Sequence, residues 1–114
     1  MPLKITNREV NGVTILDLNG KIILGDECNQ LRERIKQVLA ANKKKVLLNL
    51  GNVSFIDSAG VGTLVSIFST TKANDGKLKL VNLTKKFQET LQVTRLLTVF
   101  ETFSNEAEAV SSFK

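Results

Sequence analysis

The sequence predicts an α/β domain: a small mixed β-sheet, antiparallel at its opening hairpin and mostly parallel thereafter, carrying about four helices. Three observations predict it. Two short segments of strand character flank Asn11-Gly12, the dipeptide best suited to a tight hairpin because both residues accept positive φ. From Asp26 onward, apolar residues at helical spacing alternate with short apolar runs such as 46–50. A strand that follows a crossover helix enters its sheet in parallel, because the connection has returned the chain to the starting end. At 114 residues, one hydrophobic core and a single domain spanning 1–114 are expected.

Residues 3–10 and 13–18 are the expected hairpin strands, with Gly20 closing the second. Asp26 is a candidate N-cap for a first helix, in which Leu31, Ile35, Val38 and Leu39 share one face and Arg32, Glu33 and Lys36 face water. That helix is expected to end near Asn42, where Lys43, Lys44 and Lys45 complement the negative end of its dipole. The nearly continuous apolar run 46–50 suits a strand covered on both faces, and Gly51-Asn52 reads as a turn after it. Residues 53–56 lead into a second helix with Val61, Leu64, Val65 and Phe68 on one stripe and the small residues Gly62, Ser66 and Ser69 elsewhere. Asn74-Asp75-Gly76 stops it, and Leu78, Leu80 and Val81 belong to a further strand. Thr84 can cap a short helix carrying Phe87 and Leu91. A short strand is expected within 96–103, then a final helix opening at Ser104, with Glu106 in its first turn and Ala109, Val110 and Phe113 buried.

Composition narrows the function classes. With 42% hydrophobic and 24% charged residues the chain is a globular, water-soluble type. It has no His, which removes the commonest general base and the commonest metal ligand. A serine nucleophile needs an adjacent base, and no Gly-x-Ser-x-Gly elbow is present, so no catalytic residue, metal or cofactor is expected. The lone Cys28 can form no internal disulfide and reads as a helix-buried thiol, in keeping with a reducing cytoplasm. The segment 1–6 lacks a signal-peptide apolar region, and no apolar run approaches the roughly 20 residues of a membrane span, so a cytoplasmic location is expected. The net charge of +5 permits an acidic partner. Lys72, Lys77, Lys79, Lys85 and Lys86 are dispersed and no aromatic interleaves them, so direct nucleic-acid binding is not expected.

One stretch stands apart, Phe55-Ile56-Asp57-Ser58-Ala59-Gly60-Val61-Gly62, where a central strand meets the second helix. A Ser at or next to a helix N-cap is exposed, and free backbone N–H groups there can hold a phosphate. Ala59, Gly60 and Gly62 keep the surroundings low, so another protein could reach the hydroxyl. The same residues also fit a simpler role, with Ser58 or Asp57 as an N-cap and the glycines serving close helix–sheet packing.

The run from Leu48 to Leu64 resembles the signature of STAS domains, specifically the stand-alone anti-sigma factor antagonists of bacteria. The resemblance extends over nearly the whole chain, including Leu78-Lys79-Leu80-Val81-Asn82 and Val99-Phe100-Glu101-Thr102-Phe103 followed by Glu106-Ala107. It implies a binding switch rather than an enzyme. Ser58 matches the family's phosphorylation site, and Asp57, Ser58, Ala59, Gly60 and Gly62, with Asp26 in the partner-facing loop, are the implied partner-binding residues. Unphosphorylated, such a protein sequesters an anti-sigma factor that is a serine kinase and releases a sigma factor for transcription. Phosphorylation by that kinase weakens the complex, and a serine phosphatase resets it; ATP and Mg²⁺ belong to the kinase. Two positions depart from the family pattern: Asn49 and Ile23 stand where relatives often carry acidic residues. A second reading keeps the fold without the phospho-switch, as a scaffold or stress-complex subunit or a transporter-associated regulator.

Overall fold

The computed structural model describes residues 3–93, 95 and 99–113. Its elements run β1 (Lys4–Val10), β2 (Val13–Ile22), α1 (Asp26–Ala40), β3 (Lys45–Ile56), α2 (Ser58–Ala73), β4 (Lys77–Val81), α3 (Lys85–Val93), β5 (Thr102–Phe103) and α4 (Glu106–Ser111). The strands lie in the order β1-β2-β3-β4-β5, with β1 antiparallel to β2 and every later pair parallel. This is the mixed α/β sheet expected from the alternation of patterns. Asn11 and Gly12 take φ of 52° and 82°, the double positive φ that the hairpin needs.

The sheet separates two apolar clusters, as side-chain alternation along its strands requires. Val46, Leu48 and Leu50 of β3 face the larger one, with Leu31 and Ile35 of α1, Leu64 and Ile67 of α2, and Phe87 and Leu91 of α3. Leu47 faces the smaller one, with Val13, Ile15, Val81 and, from α4 and the residues after it, Ala109, Val110 and Phe113. Both faces of the central strand are therefore covered. Lys79 is buried on the α4 side, donating to the Ser112 carbonyl at 3.0 Å and hydroxyl at 2.9 Å, with its ammonium 4.7 Å from the Phe113 ring centroid. Its ion pair with Glu101 at 3.2 Å balances the charge.

Several boundaries differ from the expectations, each for a local reason. Gly20 does not end β2, which continues to Ile22; with φ of 121° it sits beside an irregularity in the pairing with β3. Gly51-Asn52 is not a turn, because β3 is one continuous strand of 12 residues. Its register against β2 advances from Asp17↔Asn49 to Asn19↔Asn52 and from Gly20↔Val53 to Lys21↔Phe55, so β3 absorbs an extra residue twice, as β-bulges do. Gly25, not Asp26, occupies the N-cap of α1. Asn105, not Ser104, caps α4, its side chain accepting from the Glu108 amide at 3.1 Å. Helix α1 stops at Ala40, so Lys43–45 lie beyond its last turn: Lys43 pairs with Glu9 at 2.8 Å and Lys44 donates to the Asn74 carbonyl at 2.7 Å. Thr84 does cap α3, accepting from the Phe87 amide at 3.2 Å. The expected strand within 96–103 is observed only at Thr102–Phe103; residues 96–98 lie outside the described residues.

Candidate functional site

The site is built where the C-terminal ends of β2 and β3 meet the N-terminus of α2. Asp57 has extended backbone (φ −101°, ψ −178°) and caps α2, so the choice between Ser58 and Asp57 falls to Asp57. Its carboxylate works on two elements. Oδ1 accepts the Gly60 amide at 2.8 Å, satisfying an N–H that the first turn leaves without an intrahelical partner. Oδ2 accepts the Leu24 amide at 3.0 Å, tying down the loop between β2 and α1. The backbone donors of Leu24, then Gly60, hold the carboxyl below its usual pKa and keep it charged at neutral pH.

Gly60 sets how closely helix and sheet approach. A Cβ there would lie 2.1 Å from the Ile22 carbonyl oxygen and 2.7 Å from Ile56 Cγ1, contacts that no side chain can make without displacing backbone. Asp57 itself donates its amide to the same Ile22 carbonyl at 3.3 Å. The small residue at 60 is thus a requirement of packing. Gly62 differs: a Cβ there meets nothing within 4 Å.

Ser58 is the first residue of α2 and is exposed, and its hydroxyl has no hydrogen-bond partner among the described residues. Ala59, half-buried, packs against the main core beside it. One expectation changes here. The Gly60 amide is already taken by Asp57, and the Ala59 amide also contributes to lowering the Asp57 pKa, so the helix terminus is not a vacant phosphate cradle. A phosphate on Ser58 would stand next to a carboxylate that already holds those donors.

The sequence missed Leu24. It is 77% exposed at the tip of the β2–α1 loop, and its backbone is fixed by Asp57. A shallow groove between α1 and α2 runs from it, lined by Cys28, Arg32, Ala59 and Thr63. The available signal was an aliphatic residue placed immediately before Gly25, outside any periodic apolar pattern. Cys28 itself is buried, its thiol donating to the Ile23 carbonyl at 3.0 Å, the inert role expected of it.

Asp26 flanks this surface, two residues beyond Leu24, whereas Asn49 is placed elsewhere. Asp26 is exposed at the first position of α1 and lines a groove on the β1 side with Leu3, Ile5 and Arg34. Asn49 donates to Asp17 at 2.8 Å and accepts from Asn82 at 3.0 Å and the Gly51 amide at 3.2 Å. Asp17 is further clamped by Arg8, at 2.5 and 2.9 Å, and Arg8 reaches Glu106 of α4 at 2.7 Å. Asn49 therefore belongs to an internally satisfied polar network on the α4 side. Among the described residues there is no group of three or more His, Cys, Asp or Glu able to hold a metal, and no helix long and apolar enough to cross a membrane.

The chain as a whole has relatives among known proteins. The STAS domain family model matches residues 4–109. BtrV of Bordetella bronchiseptica, provisionally named an anti-sigma factor antagonist, is 23% identical over 112 residues, covering 98% of this chain and 96% of BtrV. The crystal structure of a Thermotoga maritima protein, likewise provisionally named an anti-sigma factor antagonist, superposes with a TM-score of 0.86 at 23% identity, over 95% of this chain and 92% of that one. The Bacillus cell-fate determinant SpoIIAA in its phosphorylated form superposes with a TM-score of 0.74 at 20% identity, over 97% and 100% of the two chains.

Proposed function

The chain belongs to the STAS domain family, and from that premise we propose that it is an anti-sigma factor antagonist whose binding is controlled by phosphorylation of Ser58. The observation that carries the reading is the exposed Ser58 hydroxyl, without a partner among the described residues, on the turn that Asp57 and Gly60 build. Another protein's active site can approach it because Gly62 adds no bulk and Ala59 is tucked against the core.

In this reading the partner is an anti-sigma factor with serine-kinase activity, and it docks over Asp57, Ser58, Ala59, Gly60 and Gly62. Leu24 supplies an apolar anchor at the edge of that surface, and Asp26 a flanking charge. Release of the partner follows from charge. Phosphorylation adds about −1.5 to −2 at the centre of the interface, beside a carboxylate kept ionised by two backbone donors. The helix N-terminus offsets part of that charge, but its nearest amides are already engaged. A serine phosphatase restores the binding form. The chain performs no chemistry itself, works in the cytoplasm and folds as one domain over 1–114.

The test is a titration of the cognate kinase with wild-type protein, Ser58→Ala and Ser58→Asp. Ser58→Ala should resist phosphorylation and still bind. Ser58→Asp should bind about tenfold or more weakly, as a like charge at an interface does. Because Asp57, not Ser58, is the cap, all three should melt within a few degrees of one another. Equal affinity of the three forms would sink charge control.

A further inference from the structure

The face of the sheet turned away from the main core is covered over only part of its length. Val10, Ile15 and Leu47 mark that face because they join the α4 cluster, and Arg8, Asp17 and Asn49 mark it because they bond one another. Alternation continues the face along β1 to Thr6 and Lys4 and along β2 to Asn19 and Lys21. All four are exposed, as is Asn52, the register partner of Asn19 on β3. Helix α4 thus covers one end of the face, and the end toward Ile22 and Ile56 is open to water.

Phe55 is the apolar residue of the open end. Ile56 and its register partner Ile22 belong to the main core, so Phe55 and its partner Lys21, each one residue back, project to the other side. Phe55 is 41% exposed, and the Lys86 ammonium of α3 lies 5.2 Å from its ring centroid. That contact forms because β4 pairs with β3 only as far as Asn49, which leaves α3 to flank the last residues of β3. On the other side Lys4, in register with Asn19, is the diagonal neighbour of Lys21. Lys4, Lys21, Phe55 and Lys86 therefore form one row across the end of the sheet. None of the three lysines has an ion-pair partner among the described residues. A single exposed Phe is ordinary on a surface, but one set among three unpaired cations offers apolar and anionic groups a joint contact.

We propose that this row docks an acidic amphipathic helix of a partner protein, at a surface separate from Ser58. Helix α4 shows the mode on the same face: Ala109 and Val110 pack against the sheet while Glu106 reaches Arg8 at 2.7 Å. With neighbouring strands about 4.8 Å apart and Lys86 beyond β3, the row spans about 15 Å. A helix with its side chains is about 10–12 Å across, so one laid along the strands sets its apolar stripe on Phe55. Its carboxylates then meet Lys4 and Lys21 on one flank and Lys86 on the other. Because α2 packs on the main-core side of the sheet, Ser58 and this row serve different sides of the molecule. The row is available whether or not Ser58 carries a phosphate, so the protein can hold a second partner in both states of the switch.

The experiment uses the whole protein and a fluorescein-labelled peptide of about 18 residues, long enough to be helical, with a leucine stripe flanked by glutamates. Binding is followed by anisotropy and by ¹⁵N amide shifts. Saturable binding is expected, with shifts at the Lys21, Phe55 and Lys86 amides and little change at Leu24 and Gly60. Lys21→Glu combined with Lys86→Glu, and separately Phe55→Ser, should each weaken binding about tenfold or more. Ser58→Asp should leave it within about twofold, its charge being screened across the sheet. The substituted side chains are exposed, and melting curves matching wild type verify the fold. Absence of saturable binding would overturn the proposal, as would equal binding by the charge-reversed variant or by the same peptide with lysine in place of glutamate. Shifts centred on Leu24 and Gly60 would overturn it too, by moving the contact to the Ser58 surface. So would binding of phosphatidylserine vesicles but not of the peptide, lost in the same variants, which would assign the row to an anionic membrane.

Discussion

Asp57 and Asp17 are both held below the ordinary carboxylate pKa, yet they do opposite things. Asp17 is held chiefly by the Arg8 guanidinium, with Asn49 adding a donor, and every partner is a side chain. It closes a network that locks β1, β2, β3 and α4 together. Asp57 is held by backbone amides, Leu24 first and Gly60 second. It fixes a loop and a helix terminus while leaving the next residue, Ser58, free. A perturbed carboxylate is thus a poor guide to function by itself. What distinguishes the two is the group left unsatisfied next to them.

That contrast can be broken first at Gly60, where the effect should be largest. Gly60→Ala should destabilise by about 3 kcal/mol, because its Cβ would meet the Ile22 carbonyl at 2.1 Å, and urea unfolding would measure the loss. Asp57→Ala comes next. Loss of the cap should cost about 1–2 kcal/mol and raise amide exchange at Leu24 and Gly60 without affecting Leu78. Arg8→Met, which opens the other network, should cost only about 0.5–1 kcal/mol, since its ion pairs are partly exposed. If Arg8→Met proved costlier than Asp57→Ala, the two roles would have been assigned the wrong way round. A change of similar size and opposite sign is expected at Gly62, where Ala meets open space within a helix and should stabilise by about 0.5–1 kcal/mol.

Acid sharpens the same comparison. Both carboxyls have folded pKa values below their unfolded ones, so near pH 4 the unfolded chain binds more protons. Their contribution is complete above the unfolded pKa of about 4 and is lost as pH falls through the folded values. Asp57→Asn should therefore flatten part of the acid limb of a stability–pH profile, and Arg8→Met a different part through Asp17. Profiles identical to wild type would show that neither carboxyl is specifically stabilised.

Much of this architecture is legible in the sequence because local signals agree with the global fold. Asn11-Gly12 marks the hairpin, Leu31, Ile35, Val38 and Leu39 mark the buried face of α1, and Thr84 marks the start of α3. Where signals conflict, tertiary packing decides. Gly20 and Gly51-Asn52 have turn chemistry, but the β2–β3 pairing resumes after each irregularity and carries both through as strand, so β3 reaches Ile56 and delivers Asp57 to the site. The stripe on α2 is wider than Val61, Leu64, Val65 and Phe68, since Thr63, Ile67 and Thr71 are also buried; Thr63 and Thr71 return their hydroxyls to carbonyls four residues back.

The site was legible to a similar depth. Ser58, Asp57 and Gly60 are identifiable from their spacing, but the division of labour among them is not. Which residue caps the helix depends on Asp57 having extended backbone, and the need for glycine at 60 but not at 62 depends on where the Ile22 carbonyl lies. Leu24 could not be recognised as an anchor before its amide was seen to bond Asp57.

The central claim is that Ser58 carries a regulated phosphate, and the most direct measurement is phosphopeptide mass spectrometry of the protein isolated from its own cells. Samples should come from growth and from stress, with phosphatase inhibitors present throughout. The account predicts phosphate on Ser58 with an occupancy that changes between the two conditions. Full coverage of the peptide with Ser58 unmodified in both would contradict it.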